Sequence, residues 1–186
     1  MDVKSAIAKR RTIRRFQQIP VSKEVLCELV DLSRLYASGG NMQPIRFVGV
    51  LDAMKRNAVF ETLRWAAYLP GFEITESQRP TAYVILTCDA KVKRNCQFDL
   101  GAAATTLMLA AEDYGLATCC LASFDRNKIV ELFTMEEEEP LLVIALGYPA
   151  QESKAVEFVS DVKYYEDESG SLCVPKRSVN DLLKLY

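Results

Sequence analysis

The segment 99–114 constrains the fold more than any other part of the chain. It reads as a helix in which Gly101, Ala102, Ala103 and Ala104 present small side chains, while Leu107, Met108, Ala110 and Ala111 continue the apolar surface almost all the way round. A helix with so little polar face has to be covered on most sides, so it is expected to be central and buried. Gly115 provides its stop.

The rest of the chain supplies layers to cover it. Residues 45–51 and 82–88 have the length and β-branched content of buried strands, and 117–121 and 141–146 read the same way, the last ending at Gly147-Tyr148-Pro149. Helices are expected from Val3 to about Lys9, after a Ser22 cap along Val25, Leu26, Leu29, Val30 and Leu32, within 52–67, and after an Asp125 cap through Phe133. With 186 residues and 49% hydrophobic content, the chain fits one domain with a substantial core. The acidic run 136–139 reads as a solvated loop before Pro140. Beyond Pro149 the sequence turns charged and extended as far as Gly170, with Phe158, Tyr164 and Tyr165 as apolar anchors. Such a segment packs either on its own domain or against a partner subunit, and sequence does not separate the two. A last helical stretch follows Ser178.

Several function classes are set aside by composition. With 23 Lys+Arg against 25 Asp+Glu, the net charge of -2 argues against a nucleic-acid binder. No apolar run approaches the ~20 residues needed to cross a membrane, and Met1-Asp2-Val3-Lys4 lacks a signal-like stretch, so a cytoplasmic protein is expected. The cysteines, Cys27, Cys88, Cys96, Cys119, Cys120 and Cys173, form no C-x-x-C pair, and the chain has no histidine. Reduced, mostly buried thiols and no metal are therefore expected. There is no G-x-G-x-x-G, no P-loop motif, no paired-carboxylate motif and no histidine general base. No side chain is singled out as catalytic. An enzyme with this inventory borrows its chemistry from a cofactor.

Against the acidic background, Arg10, Arg11, Arg14 and Arg15 put four guanidinium groups into six positions, with Thr12 among them and Phe16 behind. Arginine forks suit phosphate and the threonine hydroxyl can join them. A basic helix end accounts for the run equally well. A second polar element is Ser38-Gly39-Gly40-Asn41-Met42-Gln43-Pro44, where paired glycines allow close backbone approach and Ser38, Asn41 and Gln43 offer donors and acceptors; it also reads as a plain turn. Lys176-Arg177 is a second cationic site. If both cationic sites met one phosphate, each close pair would gain about 4 kcal/mol of gross Coulomb energy at an effective dielectric of 20.

Taken in order, these elements resemble the FMN-dependent nitroreductase family. Arg10-Arg11-Thr12-Ile13-Arg14-Arg15-Phe16 is similar to its R-R-S-x-R-x-F element, and Ala37 to Pro44 to its P-S-x-x-N-x-Q-P-W loop. Asp99-Leu100-Gly101-Ala102-Ala103, Gly115 to Cys119, Leu146 to Pro149 and Val174-Pro175-Lys176-Arg177 resemble later elements of the family. The departures are Thr12 for serine, Ala37 for proline, Ile45 for tryptophan and Ala122 for glycine.

The resemblance implies an α+β fold over 1–186 as a single domain, a mainly antiparallel sheet enclosed by helices, and an intertwined homodimer in which 150–165 is the exchanged arm. It implies FMN at the dimer interface, with Arg10, Arg11, Thr12, Lys176 and Arg177 at the phosphate and ribityl end and Arg14 at the pyrimidine edge. Ser38, Gly39, Asn41 and Gln43 would come from the other subunit, and Leu121, Ala122 and Ser123 would set backbone beside the ring. Trp65, Tyr68 and Phe72 become candidates for ring stacking, with core packing as the alternative for Trp65. The implied activity is ping-pong reduction of a nitroaromatic, quinone or similar small electron-poor acceptor with NADH or NADPH as donor. The alternatives are a non-catalytic FMN store or sensor and a cofactor-free interaction protein.

Overall fold

The computed structural model describes residues 1–92, 95–135 and 137–186. The chain runs α1 (Val3–Lys9), α2 (Lys23–Ser33), β1 (Ile45–Val50), α3 (Ala53–Phe60), β2 (Ala82–Asp89), α4 (Gln97–Asp113), β3 (Ala117–Leu121), α5 (Arg126–Phe133) and β4 (Glu138–Gly147). It continues through β5 (Ser153–Glu157), β6 (Tyr165–Glu166), β7 (Leu172–Lys176) and α6 (Val179–Leu182). Asp2, Ser22, Asp52, Asp125 and Ser178 each cap a helix by accepting a backbone N–H three residues on.

Strands β1-β2-β4-β3 form one sheet in that order, antiparallel throughout. Alternate residues of β2 point to opposite faces, and both faces are covered, which is why the run is continuously apolar. On one side Ala82, Val84, Leu86 and Cys88 pack with Leu29 of α2 and with Leu100, Ala103, Ala104 and Leu107 of α4. On the other, Tyr83 and Ile85 pack with Phe16, Val59, Cys119 and Ile129. The hydroxyl of buried Ser33 donates to the Ala103 carbonyl at 2.9 Å and joins the two helices.

Three expectations change. Helix α4 is buried on its sheet side only: Phe98, Gly101 and Thr105 are exposed, so the wholly covered helix expected from sequence is covered by this chain on one face. The helix expected within 52–67 is there as Ala53–Phe60, and beyond it the Thr62 hydroxyl donates to the Val59 carbonyl at 2.7 Å and competes with the helical ladder. Glu138 and Glu139 belong to β4 instead of a loop, since Thr87 donates to Glu138 at 2.5 Å and Arg126 pairs with Glu139 at 2.9 Å; Glu136 of that run lies outside the described residues. Pro140 fits the strand at an irregularity where Thr87 faces Pro140 while Leu86 faces Leu142.

The third concerns the cysteines. Cys88 and Cys96 form a disulfide, because the turn after β2 brings the cap residue of α4 to a Cα separation of 6.6 Å, within bridging range. Cys27 and Cys120 are exposed, and only Cys119 and Cys173 are buried free thiols.

Residues after Pro149 form a small separate sheet, β5-β7-β6, in which β5 runs parallel to β7. It meets the main body through the arginine run: the Ala150 N–H donates to the Arg15 carbonyl and the Gln17 N–H to the Tyr148 carbonyl. Phe16 anchors that junction, fully buried against Gly147, where an added Cβ would lie 3.0 Å from the Phe16 ring. Phe16→Ala is expected to cost about 3–5 kcal/mol, measured as a lower midpoint in urea at unchanged m; a loss below 1 kcal/mol would show that the junction is not part of the core.

Candidate functional site

The arginine run is an extended segment, not a helix end. Helix α1 stops at Lys9, the Ile13 N–H donates to the Thr118 carbonyl at 3.1 Å, Thr12 bridges Thr118 in parallel, and Phe16 bridges Pro149. The chain therefore passes beside β3. Ile13 and Phe16 enter the core, while Arg10, Thr12 and Arg14 remain half-buried.

The four guanidinium groups have different partners. Arg11 donates to the Arg10 carbonyl and, at 3.4 Å, to the Ile7 carbonyl, so it serves the open end of α1. Arg15 pairs with Glu166 at 3.0 Å and lies 4.6 Å over the Phe72 ring. Arg10 and Arg14 have no carboxylate partner among the described residues. Arg14 stands 4.4 Å over the Tyr164 ring, and its buried Nε has no hydrogen-bond partner. Face contact with the ring leaves the in-plane N–H edge of that guanidinium available.

Both arginines flank β3: Arg14 acts on Cys119 and Arg10 on Cys120, and Arg10 also acts on Glu112 ahead of the strand, which ends at Leu121. There the Leu121 side chain enters the core, while Ala122 and Ser123 are exposed, the Ser123 carbonyl accepting the Arg64 N–H at 3.0 Å. Burial pushes the Cys119 thiol up to about 12, which makes it packing and not a nucleophile.

The loop 38–44 is held in one shape. The Ser38 hydroxyl donates to buried Asp99 at 2.5 Å and accepts the Gln43 N–H at 2.9 Å, while Gln43 Nε2 donates to both the carbonyl and Oδ1 of Asn41. Gly39 opens a short 3₁₀ turn through Asn41, and Asn41 and Gln43 carry φ values of 54° and 49°. A non-glycine residue such as Gln43 in that region persists only where its surroundings enforce it, as binding loops often require.

Loop and arginine run stand at opposite ends of α4. Asp99 holds Ser38 at one end; at the other, Glu112 lies 3.8 Å from Lys9 and shares a cavity with Arg11. The helical rise between Asp99 and Glu112 is about 20 Å. Lys176 and Arg177 are also apart: both are exposed at the end of β7, where Arg177 lies 4.4 Å over Phe158. One chain thus sets Arg10, Thr12 and Arg14 alongside β3, and leaves 38–43 and 176–177 elsewhere. Of the ring-stacking candidates, Trp65 packs on Phe60 at 5.7 Å and Tyr68 on Tyr164 at 5.1 Å.

Sequence reasoning missed Asp99 as the residue that orients Ser38, and Tyr164 and Glu166 as the covers of Arg14 and Arg15. An acid in the first turn of an otherwise apolar helix was the available signal for Asp99; nothing local marked the other two.

The profile of the Nitroreductase family matches residues 7–148. The chain belongs to that family. It is 26% identical over 186 residues to an NADH dehydrogenase of Thermus thermophilus, covering 82% of this chain and 89% of that one. To a 4-nitrobenzoate reductase of Pseudomonas putida it is 25% identical over 195 residues, covering 79% and 85%. A Streptococcus pneumoniae nitroreductase family structure superposes with TM-score 0.73 at 16% identity over 100% of both chains. A nitroreductase of Exiguobacterium sibiricum in complex with FMN superposes with TM-score 0.72 at 16% identity, over 100% of this chain and 98% of that one. These structures share its fold.

The cavity beside Arg11 generates a pH test. Burial raises the Glu112 carboxyl above its usual value against the opposing pull of Lys9, Arg10 and Arg11. The folded value exceeds the unfolded one, so this group's stability is fully present below the unfolded value and is lost as pH rises through the folded one. Glu112→Gln is therefore expected to melt above the wild type at pH 7, with the gap closing towards about pH 4; a gap independent of pH in thermal melts would contradict it.

Proposed function

We propose that this chain is an FMN-dependent NAD(P)H oxidoreductase that works as a homodimer and reduces small electron-poor acceptors such as nitroaromatics and quinones. The observation that carries the reading is the pair Arg10 and Arg14: half-buried cations with no ion pair to a carboxylate among the described residues, set beside β3 in a chain of this family. Half-buried charge without a partner is costly, and an anionic ligand would relieve it.

The residues present fit FMN. Arg10 and Thr12 would hold the phosphate, and Arg11, spent on the carbonyls at the end of α1, would fix the turn that presents them. Arg14 would place positive charge at the ring edge. Ala122 and Ser123 offer backbone at the strand exit, where the larger Ala122 in place of the family's usual glycine narrows the approach. When bound, FMN supplies two-electron transfer between a nicotinamide and the acceptor. The chain's part is to bind, orient and bias charge.

The second copy enters through distance. Loop 38–43 lies about 20 Å along α4 from the arginine run, so in this reading Ser38, Gly39, Asn41 and Gln43 of one copy, and Lys176-Arg177 wherever the small sheet delivers them, complete the site of the other. Support comes from α4, whose outward Phe98 is 92% exposed with Gly101 and Thr105 along the same line, and from exposed Val179, Leu182 and Leu185 at the C-terminus. The segment 150–165 is our candidate for exchange between copies within this single-domain chain, because β5, β6 and β7 pair only with one another among the described strands. A cytoplasmic setting fits the absence of any membrane-spanning helix among the described residues, but the reading does not depend on it.

The test is an anaerobic titration of the FMN-loaded protein with NADH and NADPH. Bleaching of the flavin band by either is expected; bound flavin that resists both would make the chain a store or sensor, and protein that stays colourless with added FMN would end the reading. Arg10→Ala and Arg14→Ala should each weaken FMN retention about tenfold or more, as for a lost charged hydrogen bond, while Arg15→Ala, already paired with Glu166, should change it less than about threefold. Equal losses at all three would contradict the assignment.

A further inference from the structure

Both ends of loop 38–44 rest on the Cys88–Cys96 disulfide. Cys88 faces Ile45 across the β1-β2 pairing, directly after the loop, and the neighbouring Asp89 N–H donates to the Pro44 carbonyl at 3.0 Å. Cys96 is the cap residue of α4, and one turn on, Asp99 accepts the Ser38 hydroxyl at 2.5 Å. The disulfide thus ties the strand that fixes the loop's exit to the helix that fixes its entry.

The bond has a route to reductant. A cavity of about 380 Å³ is lined by Cys88, Cys96, Asn95 and Gln97, with Arg126 and Glu139, paired at 2.9 Å, on its wall. Elsewhere the molecule offers less. The cavity at Glu112 carries both signs of charge without selecting a ligand, and Cys27 and Cys120 are single exposed thiols.

We propose that Cys88–Cys96 is a reversible redox modification site that sets the order of loop 38–44 and, through it, the affinity for FMN. The second half rests on the function proposed above; the first does not. A dithiol attacks one sulfur, the mixed disulfide resolves, and two electrons and two protons pass to the protein, leaving two thiols and a cyclic disulfide of the reductant. Without the bond, the first turn of α4 is held to β2 by packing alone, and the distance from Asp99 and Ser38 to Ile45 is less tightly fixed.

Two measurements test it. Peptide mapping after blocking free thiols should recover the Cys88–Cys96 linked peptide from oxidised protein and lose it after dithiothreitol. Hydrogen exchange of FMN-free protein should then show faster exchange of the 38–45 amides, Gln43 above all, in the reduced form. In FMN-loaded protein, reduction should weaken FMN binding by about fivefold or more, the low end of ordinary coupling between sites, and reoxidation should restore it. Cys96→Ala should behave as permanently reduced, and Cys27→Ser, an exposed thiol on α2, should respond as wild type. Six free thiols in oxidised protein, or equal loop exchange in both forms, overturns the proposal. Faster loop exchange with unchanged FMN affinity overturns the link to FMN alone, and no FMN binding in the oxidised form points to failure of the functional reading instead.

Discussion

Everything in this chain depends on β2 and β4 being buried on both faces. Strands with no solvent side need two apolar layers, and each layer determines part of the site. The layer of α2 and α4 puts Asp99 under Ser38 and holds loop 38–44 in its left-handed turn. The opposite layer takes Ile13 and Phe16 into the core, which pins the arginine run alongside β3 and leaves Arg10 and Arg14 at its surface. Moving either layer would move one half of the candidate site.

The charges follow the same division. Arg11 and Arg15 are consumed locally, one by the carbonyls at the end of α1 and one by Glu166, whereas Arg10 and Arg14 have no such outlet. Tyr164 covers the face of Arg14 without satisfying its N–H groups. The small sheet β5-β7-β6 therefore both touches the site and restricts it, which gives residues after Pro149 a part in ligand access as well as in packing.

Much of this was legible in sequence, for physical reasons. Continuous apolar runs marked β2 and β4 because two-sided burial leaves no alternation to find, and side-chain caps marked the starts of α2 and α5. The extended path of Arg11 to Phe16 was not legible, since a basic run after a helix fits a helix end as well; only the Thr12–Thr118 bridge decides it. The disulfide escaped because Cys88 lies in an apolar strand and Cys96 beside a turn, a spacing without motif value. The exposed line of Phe98, Gly101 and Thr105 escaped for the opposite reason: it belongs to a helix with the composition of a core, yet this chain leaves it uncovered. Glu138 and Glu139 show how two partners, Thr87 and Arg126, admit carboxylates to a strand end.

In the proposed site one FMN is held by the arginine run of one copy and loop 38–43 of another. The most direct test mixes two variants that each lack one half, Arg10→Ala/Arg14→Ala and Ser38→Ala/Asn41→Ala, under conditions that exchange subunits, and measures bound flavin. Each variant alone should retain little, and the mixture should recover binding in about a quarter of all sites, because half of the dimers are hybrids and each hybrid has one intact site. No recovery, with hybrid dimers confirmed by mass spectrometry, would contradict a site shared between copies.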